Sequence, residues 1–286
     1  MARHAAWAAL DADLAGVPGT VSVYCGSLGT VPAYTRAADS QHYAASTIKV
    51  AVLAALYRGG FDLAAEVPVR NEFESAAPGA PAYACRQSYD NDGAVWDRVG
   101  GVVPLGWLAQ RMIVRSSNLA TNLVLARVGL PAVAAVWDVV GARHSVVGRG
   151  IEDFVAAEAG IANLVIAADL AALLTAIAVG ADSPGPLASP AACRAMLEIL
   201  FAQEGVEDLA AGLPAGTRVA HKNGWVRGVR HGSGVVFPED APPFVLAVCT
   251  TTPWAVNEQG DAACQLVATV ARTAWSARHT LSPIAS

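Results

Sequence analysis

Residues 46–60 read STIKVAVLAALYRGG, and this stretch places a possible reactive pair at the start of a buried helix. Its apolar residues keep helical spacing until Gly59-Gly60, namely Val50, Leu53, Ala54 and Tyr57. Ser46 and Lys49 lie three residues apart, so a helix puts the hydroxyl and the amine on one face. A serine hydroxyl is a poor nucleophile until a base takes its proton, and a buried lysine can be that base near neutral pH. Alone, a Ser-x-x-Lys match is a weak signal.

The chain has two lysines, Lys49 and Lys222, against seventeen arginines. Lysine differs from arginine because its ammonium can lose its proton when it is buried beside other charge. The second lysine stands in His221-Lys222-Asn223-Gly224, at the end of a predicted strand and before Trp225. Here the lysine adds positive charge, and Gly224 lets a substrate backbone approach the strand edge. The structural alternative is a turn with an exposed lysine.

A third polar group, Ser116-Ser117-Asn118, joins two predicted helices. Ser116 could pass a proton and Asn118 could hold a substrate amide. The alternative is an ordinary helix N-cap, where serine and asparagine are favoured. Asn122, one turn later, is expected to hold the fold through hydrogen bonds. The ordered occurrence of three such groups, with both lysines inside them, favours a catalytic site.

The three groups resemble the Ser-x-x-Lys, Ser-x-Asn and Lys-Thr-Gly motifs of class A β-lactamases and penicillin-binding proteins. The resemblance covers most of the chain. Three further stretches are similar to serine β-lactamase-like hydrolases found without export signals, namely residues 112–122, Asn71-Glu72-Phe73 and Gly228-Val229-Arg230-His231.

The resemblance implies a role for each matching residue. Ser46 is acylated and Lys49 assists as base. Ser116 and Lys222 relay a proton to the leaving group. The backbone N–H groups of Ser46 and Trp225 form the oxyanion hole, and the expected substrate contacts are Asn118, Asn223, Gly224, Trp225 and Arg230.

Two departures from the family pattern lie in the middle and third motifs. Ser117 stands where class A enzymes usually have aspartate, which affects loop support more than chemistry. Asn223 replaces the usual threonine or serine, so an amide stands where a hydroxyl would meet a substrate carboxylate. Arg230 or Arg227 could still meet an anionic group, although a solvated surface arginine is the alternative for each.

A third departure concerns deacylation. The resemblance implies a glutamate in a Glu-x-x-x-Asn segment, and this segment is not intact, because Ala156 takes the asparagine's place after Glu152. Glu152 is the first candidate for the deacylation base and Asp153 the second. Helix capping is the alternative for both.

The pattern of predicted elements indicates an α+β fold in one β-lactamase-like domain, 1–286. A helix around Trp7 to Leu14 and a hairpin (21–25 and 31–34) precede Ser46, and helices follow at 105–115, 119–128, 132–140 and 166–179. Strands then follow at 218–222, 234–237 and 244–250, before a last helix at about 258–277. We expect the strands from both chain ends to form one antiparallel sheet flanked by the terminal helices. Residues 1–45 and about 214–286 would form this α/β lobe, residues 46–213 a mainly helical lobe, and the cleft between them the site.

Composition narrows the classes of function. The net charge of −5 and the lack of a basic cluster argue against nucleic acid. No run of about eighteen apolar residues or signal-like segment occurs, so we expect no membrane and a cytoplasmic protein. The five cysteines and six histidines show no spacing typical of disulfide frameworks or metal sites, and we expect neither metal nor cofactor.

The leading hypothesis is a serine hydrolase that opens a small-molecule amide, lactam or ester through a Ser46 acyl-enzyme. The first alternative is a cytoplasmic transacylase of small-molecule biosynthesis, which passes the acyl group to an amine or alcohol. The second is a non-catalytic ligand-binding protein with this fold, for which no covalent adduct is expected. Specificity would depend on cleft residues such as Tyr83, Trp96, Asn223, Trp225 and Trp254.

Overall fold

The computed structural model describes residues 2–256, 258 and 260–281. The helices are α1 (Ala2–Ala15), α2 (Lys49–Arg58), α3 (Gly93–Trp96), α4 (Leu105–Val114), α5 (Asn118–Val128), α6 (Leu130–Val139), α7 (Phe154–Glu158), α8 (Ala167–Asp182), α9 (Pro190–Phe201) and α10 (Ala262–Ser276). The strands are β1 (Thr20–Ser27), β2 (Tyr34–Arg36), β3 (His42–Tyr43), β4 (Glu66–Pro68), β5 (Val102–Pro104), β6 (Val146–Val147), β7 (Asn163–Val165), β8 (Arg218–Val226), β9 (Val229–Phe237) and β10 (Phe244–Thr251).

The main sheet joins the two ends of the chain. Its five strands are antiparallel in the order β2-β1-β10-β9-β8, and β1 pairs with β10 from Thr20↔Thr251 to Ser27↔Phe244. Both faces of β10 are buried, because alternate side chains enter two different cores. One core lies against α1 and α10, and the other lies against the helical region. The predicted α+β fold, with a sheet built from both chain ends, is therefore confirmed.

The middle of the chain is mainly helical, as predicted. The four helices predicted here correspond to α4, α5, α6 and α8, and α9 is an additional helix that is capped by Ser189. Two small sheets also lie here, β3-β7-β6 and β4-β5. Among the described residues, no single helix is long and apolar enough to cross a membrane; α5 and α6 meet that criterion only as a pair bent by 85°.

Several predicted boundaries were wrong. The strand predicted at 234–237 begins at Val229, because β9 pairs with β8 and β10 from that residue onward. The second strand of the hairpin is 34–36 instead of 31–34, because pairing to β1 begins at Tyr34. The strand predicted to end at Lys222 continues to Val226, because β9 pairs with it along its whole length. The last helix begins at Ala262, where the Asp261 side chain caps it, instead of near Glu258. Of the residues predicted to begin that helix, Gln259 lies outside the described residues.

Candidate active site

Ser46 lies on a tight 3₁₀ turn, Ala45–Ile48, that leads directly into α2. Thr47 holds this turn, since its hydroxyl and its backbone N–H both donate to the Ala44 carbonyl, at 2.6 and 3.2 Å. Ser46 is half-buried, whereas Lys49 is fully buried at the start of α2. The turn thus leaves the serine accessible and takes the lysine out of water.

The buried Lys49 ammonium connects the first motif to the middle one. Its Nζ donates to the Ser116 carbonyl at 2.7 Å, the Asn118 Oδ1 at 2.9 Å and the Ser116 Oγ at 3.2 Å. Burial lowers the pKa of Lys49 to about 7, although the nearby Asp90, Cys85 and Glu152 oppose this shift. A lysine with this pKa can accept a proton at neutral pH.

The middle motif divides its roles between neighbouring residues. Ser117 is the N-cap of α5, accepting from the Ala120 N–H at 3.1 Å, so the capping alternative applies to this serine. Asp90 supports the same turn by accepting from the Ser117 hydroxyl at 3.0 Å and the Leu119 N–H at 2.9 Å. Ser116 and Asn118 are left facing Lys49. The sequence analysis missed Asp90, since an aspartate in a polar stretch is typical of any surface turn.

Asn118 joins Lys49 to Glu152. While its Oδ1 accepts from Lys49, its Nδ2 donates to the Glu152 Oε1 at 2.9 Å and to the Tyr89 carbonyl at 3.0 Å. The other Glu152 oxygen, Oε2, accepts from the Arg86 backbone N–H at 2.8 Å. The first candidate for the deacylation base therefore lies one side chain from the candidate general base of acylation.

Asp153, the second candidate, has a structural role instead. Its carboxylate caps α7 by accepting from the Ala156 N–H at 3.2 Å. It also accepts from the Ser75 hydroxyl and the Ala76 N–H, both at 2.8 Å. The capping alternative thus applies to Asp153, whereas Glu152 points toward Asn118.

The loop that carries Glu152 is held from the helical side. Asn122 accepts from the Ile151 N–H and donates to the Ile151 carbonyl, both at 2.8 Å, which confirms its predicted fold-holding role. Gly150 packs so closely that a Cβ there would lie 2.0 Å from the Tyr83 hydroxyl. Tyr83 therefore leaves no room for a larger residue at position 150.

The third motif lies in the middle of β8 and packs on the Ser46 turn. A Cβ at Gly224 would lie 2.8 Å from the backbone nitrogens of both Ser46 and Thr47, so only glycine permits this approach. Lys222 is fully buried and donates to the Asn223 carbonyl at 3.0 Å and to the Asn223 Oδ1 at 3.1 Å. Burial, reinforced by the nearby Lys49, holds the pKa of Lys222 well below its usual range.

The Arg230 guanidinium is buried and already paired with carboxylates, so it is not free to bind a substrate anion. It is buried beneath the Trp225 ring and forms ion pairs with Glu207 at 2.9 Å and Asp208 at 3.3 Å. Its contacts therefore do not support the predicted binding role. Arg227 is exposed. Burial raises the pKa of Asp208 to about 6 despite this pairing.

A cavity of about 240 Å³ opens beside the reactive groups. Its lining includes Ser116, Asn223 and Trp225, together with Arg115, Glu204 and Glu207. The other aromatic residues expected in the cleft lie elsewhere or on its edge: Tyr83 packs on Gly150, Trp96 packs on the helical core, and Trp254 is exposed.

Backbone strain is concentrated at this site. Among the described residues, four that are not glycine have a positive φ, and three of them belong here: Ala45 (45°), Ser116 (58°) and Glu152 (65°). Such conformations cost free energy and persist where the surrounding structure enforces them, which is typical of functional sites.

Comparisons with known proteins agree with this geometry. A family model described as the β-lactamase enzyme family matches residues 5–277. No curated protein sequence matches the chain significantly. Among solved structures, a β-lactamase from Sphaerobacter thermophilus DSM 20745 is 26% identical with a TM-score of 0.76, over 98% of this chain and 99% of that one.

Two further solved structures share the fold at lower identity. A class A β-lactamase from Mycobacterium abscessus has a TM-score of 0.78 at 18% identity, over 95% of this chain and 98% of that one. PBP-A has a TM-score of 0.77 at 22% identity, over 95% of each chain. Because the family match spans all three motifs and nearly the whole chain, this protein belongs to the β-lactamase enzyme family and is a β-lactamase-like serine hydrolase.

Proposed function

We propose that this protein opens an amide, lactam or ester bond by forming an acyl-enzyme on Ser46, which water then hydrolyses. One observation carries the proposal: a hydrogen-bonded chain runs from Ser116 through Lys49 and Asn118 to Glu152, beside the turn that presents Ser46. This hydrogen-bonded chain contains Lys49, the candidate base for acylation, and Glu152, the candidate base for deacylation.

Acylation begins with proton transfer from the Ser46 hydroxyl to neutral Lys49. With a pKa of about 7, roughly half of the Lys49 side chains are neutral at pH 7. The Ser46 oxygen attacks the substrate carbonyl carbon, and the carbonyl oxygen becomes an oxyanion. Backbone N–H groups of Ser46 and Trp225 would hold this charge, and the close packing of Gly224 on the Ser46 turn supports their proximity.

Collapse of the tetrahedral intermediate breaks the bond to the leaving group, which needs a proton. Ser116 can donate its hydroxyl proton and recover one from the Lys49 ammonium, whose Nζ lies 3.2 Å from the Ser116 Oγ. Lys222 would favour this transfer when it carries its proton, although burial holds its pKa well below the usual range. The step returns Lys49 to its neutral state and leaves the acyl group on Ser46.

Deacylation requires a base for water, and Glu152 is our assignment. Its carboxylate would take a proton from water as the water oxygen attacks the acyl carbonyl carbon. The ester bond to Ser46 then breaks, and the proton that Glu152 took from water passes to the serine oxygen, which returns Glu152 to its carboxylate form. The position of Glu152 beside Asn118 and Lys49 favours this hydrolysis over the transacylase alternative, in which an amine or alcohol takes the place of water.

Intact-protein mass spectrometry with benzylpenicillin tests the proposal, since a mutant of PBP-A has been solved as an acyl-enzyme complex with penicillin G. The wild type should turn over the penicillin, and Glu152→Gln should accumulate a one-to-one adduct because its base is lost. Ser46→Ala should form no adduct, whereas Ser183→Ala, which removes an exposed hydroxyl, should behave as wild type.

If the protein does not react with lactams, the same variants are compared with para-nitrophenyl phenylacetate as the substrate. If Ser46→Ala kept wild-type turnover of both probes, the acyl-enzyme would be ruled out. A wild-type adduct that resists water but is released by an added amine, with the amide as product, would favour the transacylase instead.

A further inference from the structure

We propose that the acyl half of the substrate carries a negative charge, and that Arg86 at the edge of the cleft binds it. This inference rests on the proposed function and names the substrate class of the same site. It places the anion on the side of the site that carries Glu152, whereas Lys222 and Asn223 lie on β8.

The Arg86 guanidinium lies over two aromatic rings. Its central carbon lies 5.4 Å from the centre of the Tyr89 ring and 5.5 Å from the centre of the Phe154 ring, and its Nη1 lies 3.4 Å from the Tyr89 hydroxyl. Stacking on aromatic faces restricts a guanidinium while leaving N–H groups at its edge free to donate. Arg86 is therefore more ordered than a solvated surface arginine.

This cluster of Arg86, Tyr89 and Phe154 is attached directly to the reactive residues. The Arg86 backbone N–H binds Glu152, and the Tyr89 carbonyl accepts from Asn118. Phe154 follows Glu152 by two residues. An acyl group bound to Ser46 and positioned for attack by water near Glu152 would thus extend toward this cluster.

The Arg86 charge is available to a ligand. Among the ion pairs of the described residues, none involves Arg86, and its side chain is exposed. A guanidinium binds a carboxylate through two parallel N–H···O hydrogen bonds, which makes a carboxylate the natural ligand.

Among the described residues that line it, the cavity beside Ser116 offers an anion no unpaired arginine. The charged residues that line the cavity beside Ser116 are Arg115, Glu204 and Glu207, and Arg115 is already paired with Glu204. Lys222 is buried and donates to Asn223, whose Oδ1 also accepts from Gln203 at 3.1 Å. Glu207 is in turn paired with Arg230, so a leaving group with a carboxylate would find no unpaired arginine among the described residues that line this cavity.

Two activated esters test the proposal: the para-nitrophenyl esters of (para-carboxyphenyl)acetic acid and of (para-carbamoylphenyl)acetic acid. They share a leaving group and differ in the charge of the acyl half. The wild type should show a kcat/KM for the carboxylate ester about tenfold above that for the amide ester, after correction for their rates in buffer. This ratio should fall as salt is added, because screening weakens a partly exposed ion pair.

Arg86→Gln should bring the ratio to about one, and Arg86→Lys should keep part of it, because the charge remains but the planar fork is lost. Arg143→Gln, which removes an exposed arginine elsewhere, should keep the wild-type ratio. A wild-type ratio of one or less, or a preference that survives in Arg86→Gln, would overturn the proposal. Ser46→Ala with the amide ester tests the acyl-enzyme separately, because that probe carries no acyl charge.

Discussion

Acylation of Ser46 should depend on pH through Lys49. This lysine is fully buried, and burial lowers its pKa to about 7. Only the neutral amine can take the Ser46 proton, so the acylation rate should rise as the pH rises through about 7 and then level off. An ordinary lysine, with a pKa of about 10.4, would keep raising the rate up to much higher pH.

The magnitude follows from the fraction of neutral Lys49. With a pKa of about 7, this fraction is about one half at pH 7, one tenth at pH 6 and one hundredth at pH 5. Acylation should therefore slow about fiftyfold between pH 7 and pH 5. Protonation also suits its contacts, because an ammonium has three N–H groups for the three nearby oxygen atoms.

Stopped-flow measurement of the first turnover with a chromogenic cephalosporin or ester, from pH 5 to pH 9, gives this profile. Circular dichroism at each pH checks that the protein stays folded. Lys49→Arg should lose the inflection and about a hundredfold or more in rate, since a guanidinium does not deprotonate in this range.

Asp208 supplies the matched control, because burial raises its pKa to about 6 and it would titrate nearby. Asp208→Asn should keep an inflection near pH 7 if Lys49 causes it. A rate that is flat from pH 5 to pH 8, or a midpoint at pH 9 or above, would refute the assignment of Lys49 as the base.

Three other perturbations test the packing around the site and the fold. Gly224→Ala should slow acylation about a hundredfold or more, because its Cβ would lie 2.8 Å from the Ser46 nitrogen. Gly150→Ala should slow deacylation more than acylation, because its Cβ would lie 2.0 Å from the Tyr83 hydroxyl and would displace the Glu152 loop. Urea unfolding should show lower stability at pH 5 than at pH 7.5, since burial lowers the pKa of three histidines to about 4, namely His42, His221 and His231. The unfolded chain binds these protons first as the pH falls below about 6.5, so each should cost about 2 kcal/mol at pH 5.

Each of these results has a control. Gly185→Ala meets no atom within 4 Å, so it should leave both rates unchanged. Equal slowing of both half-reactions in Gly150→Ala would contradict a specific effect on the Glu152 loop. Asp208 acts against the histidines, because its raised pKa stabilises the fold as the pH falls. An unchanged free energy of unfolding at pH 5 would contradict the prediction, because it would mean that the three histidines bind protons equally well in the folded and unfolded states.

The main sheet and most helices were predictable because their signals are local. The continuous apolar run of β10, which is buried on both faces, and the helical spacing after Lys49 reflect which side chains face a core. The wrong strand boundaries fall where pairing with another strand decides the outcome, whereas the start of the last helix is set by the Asp261 cap. β8 runs past Lys222 because β9 supplies partners as far as Val226, which no local pattern indicates.

In the candidate site, too, local spacing predicted some features, whereas contacts between distant segments decided others. Motif spacing selected Ser46, Lys49, Ser116 and Lys222, and the structure places Lys49 against Ser116 and the third motif against the Ser46 turn. The ion pairs of Arg230 could not be predicted from the sequence, because an isolated arginine there looks solvated. Its acidic partners, Glu207 and Asp208, stand more than twenty residues away and meet it only after folding.

By itself, the sequence determined the fold class and the residue types available for acyl transfer, since both depend on composition, periodicity and short spacings. Only the tertiary structure decided which of Glu152 and Asp153 faces the reactive groups, because that depends on a positive φ at Glu152 and on helix capping by Asp153. It also decided which arginine side chains are paired with carboxylates. The pairing that occupies Arg230 and leaves Arg86 free arises from contacts between distant segments, and the pKa of Lys49 arises from the burial that those contacts produce.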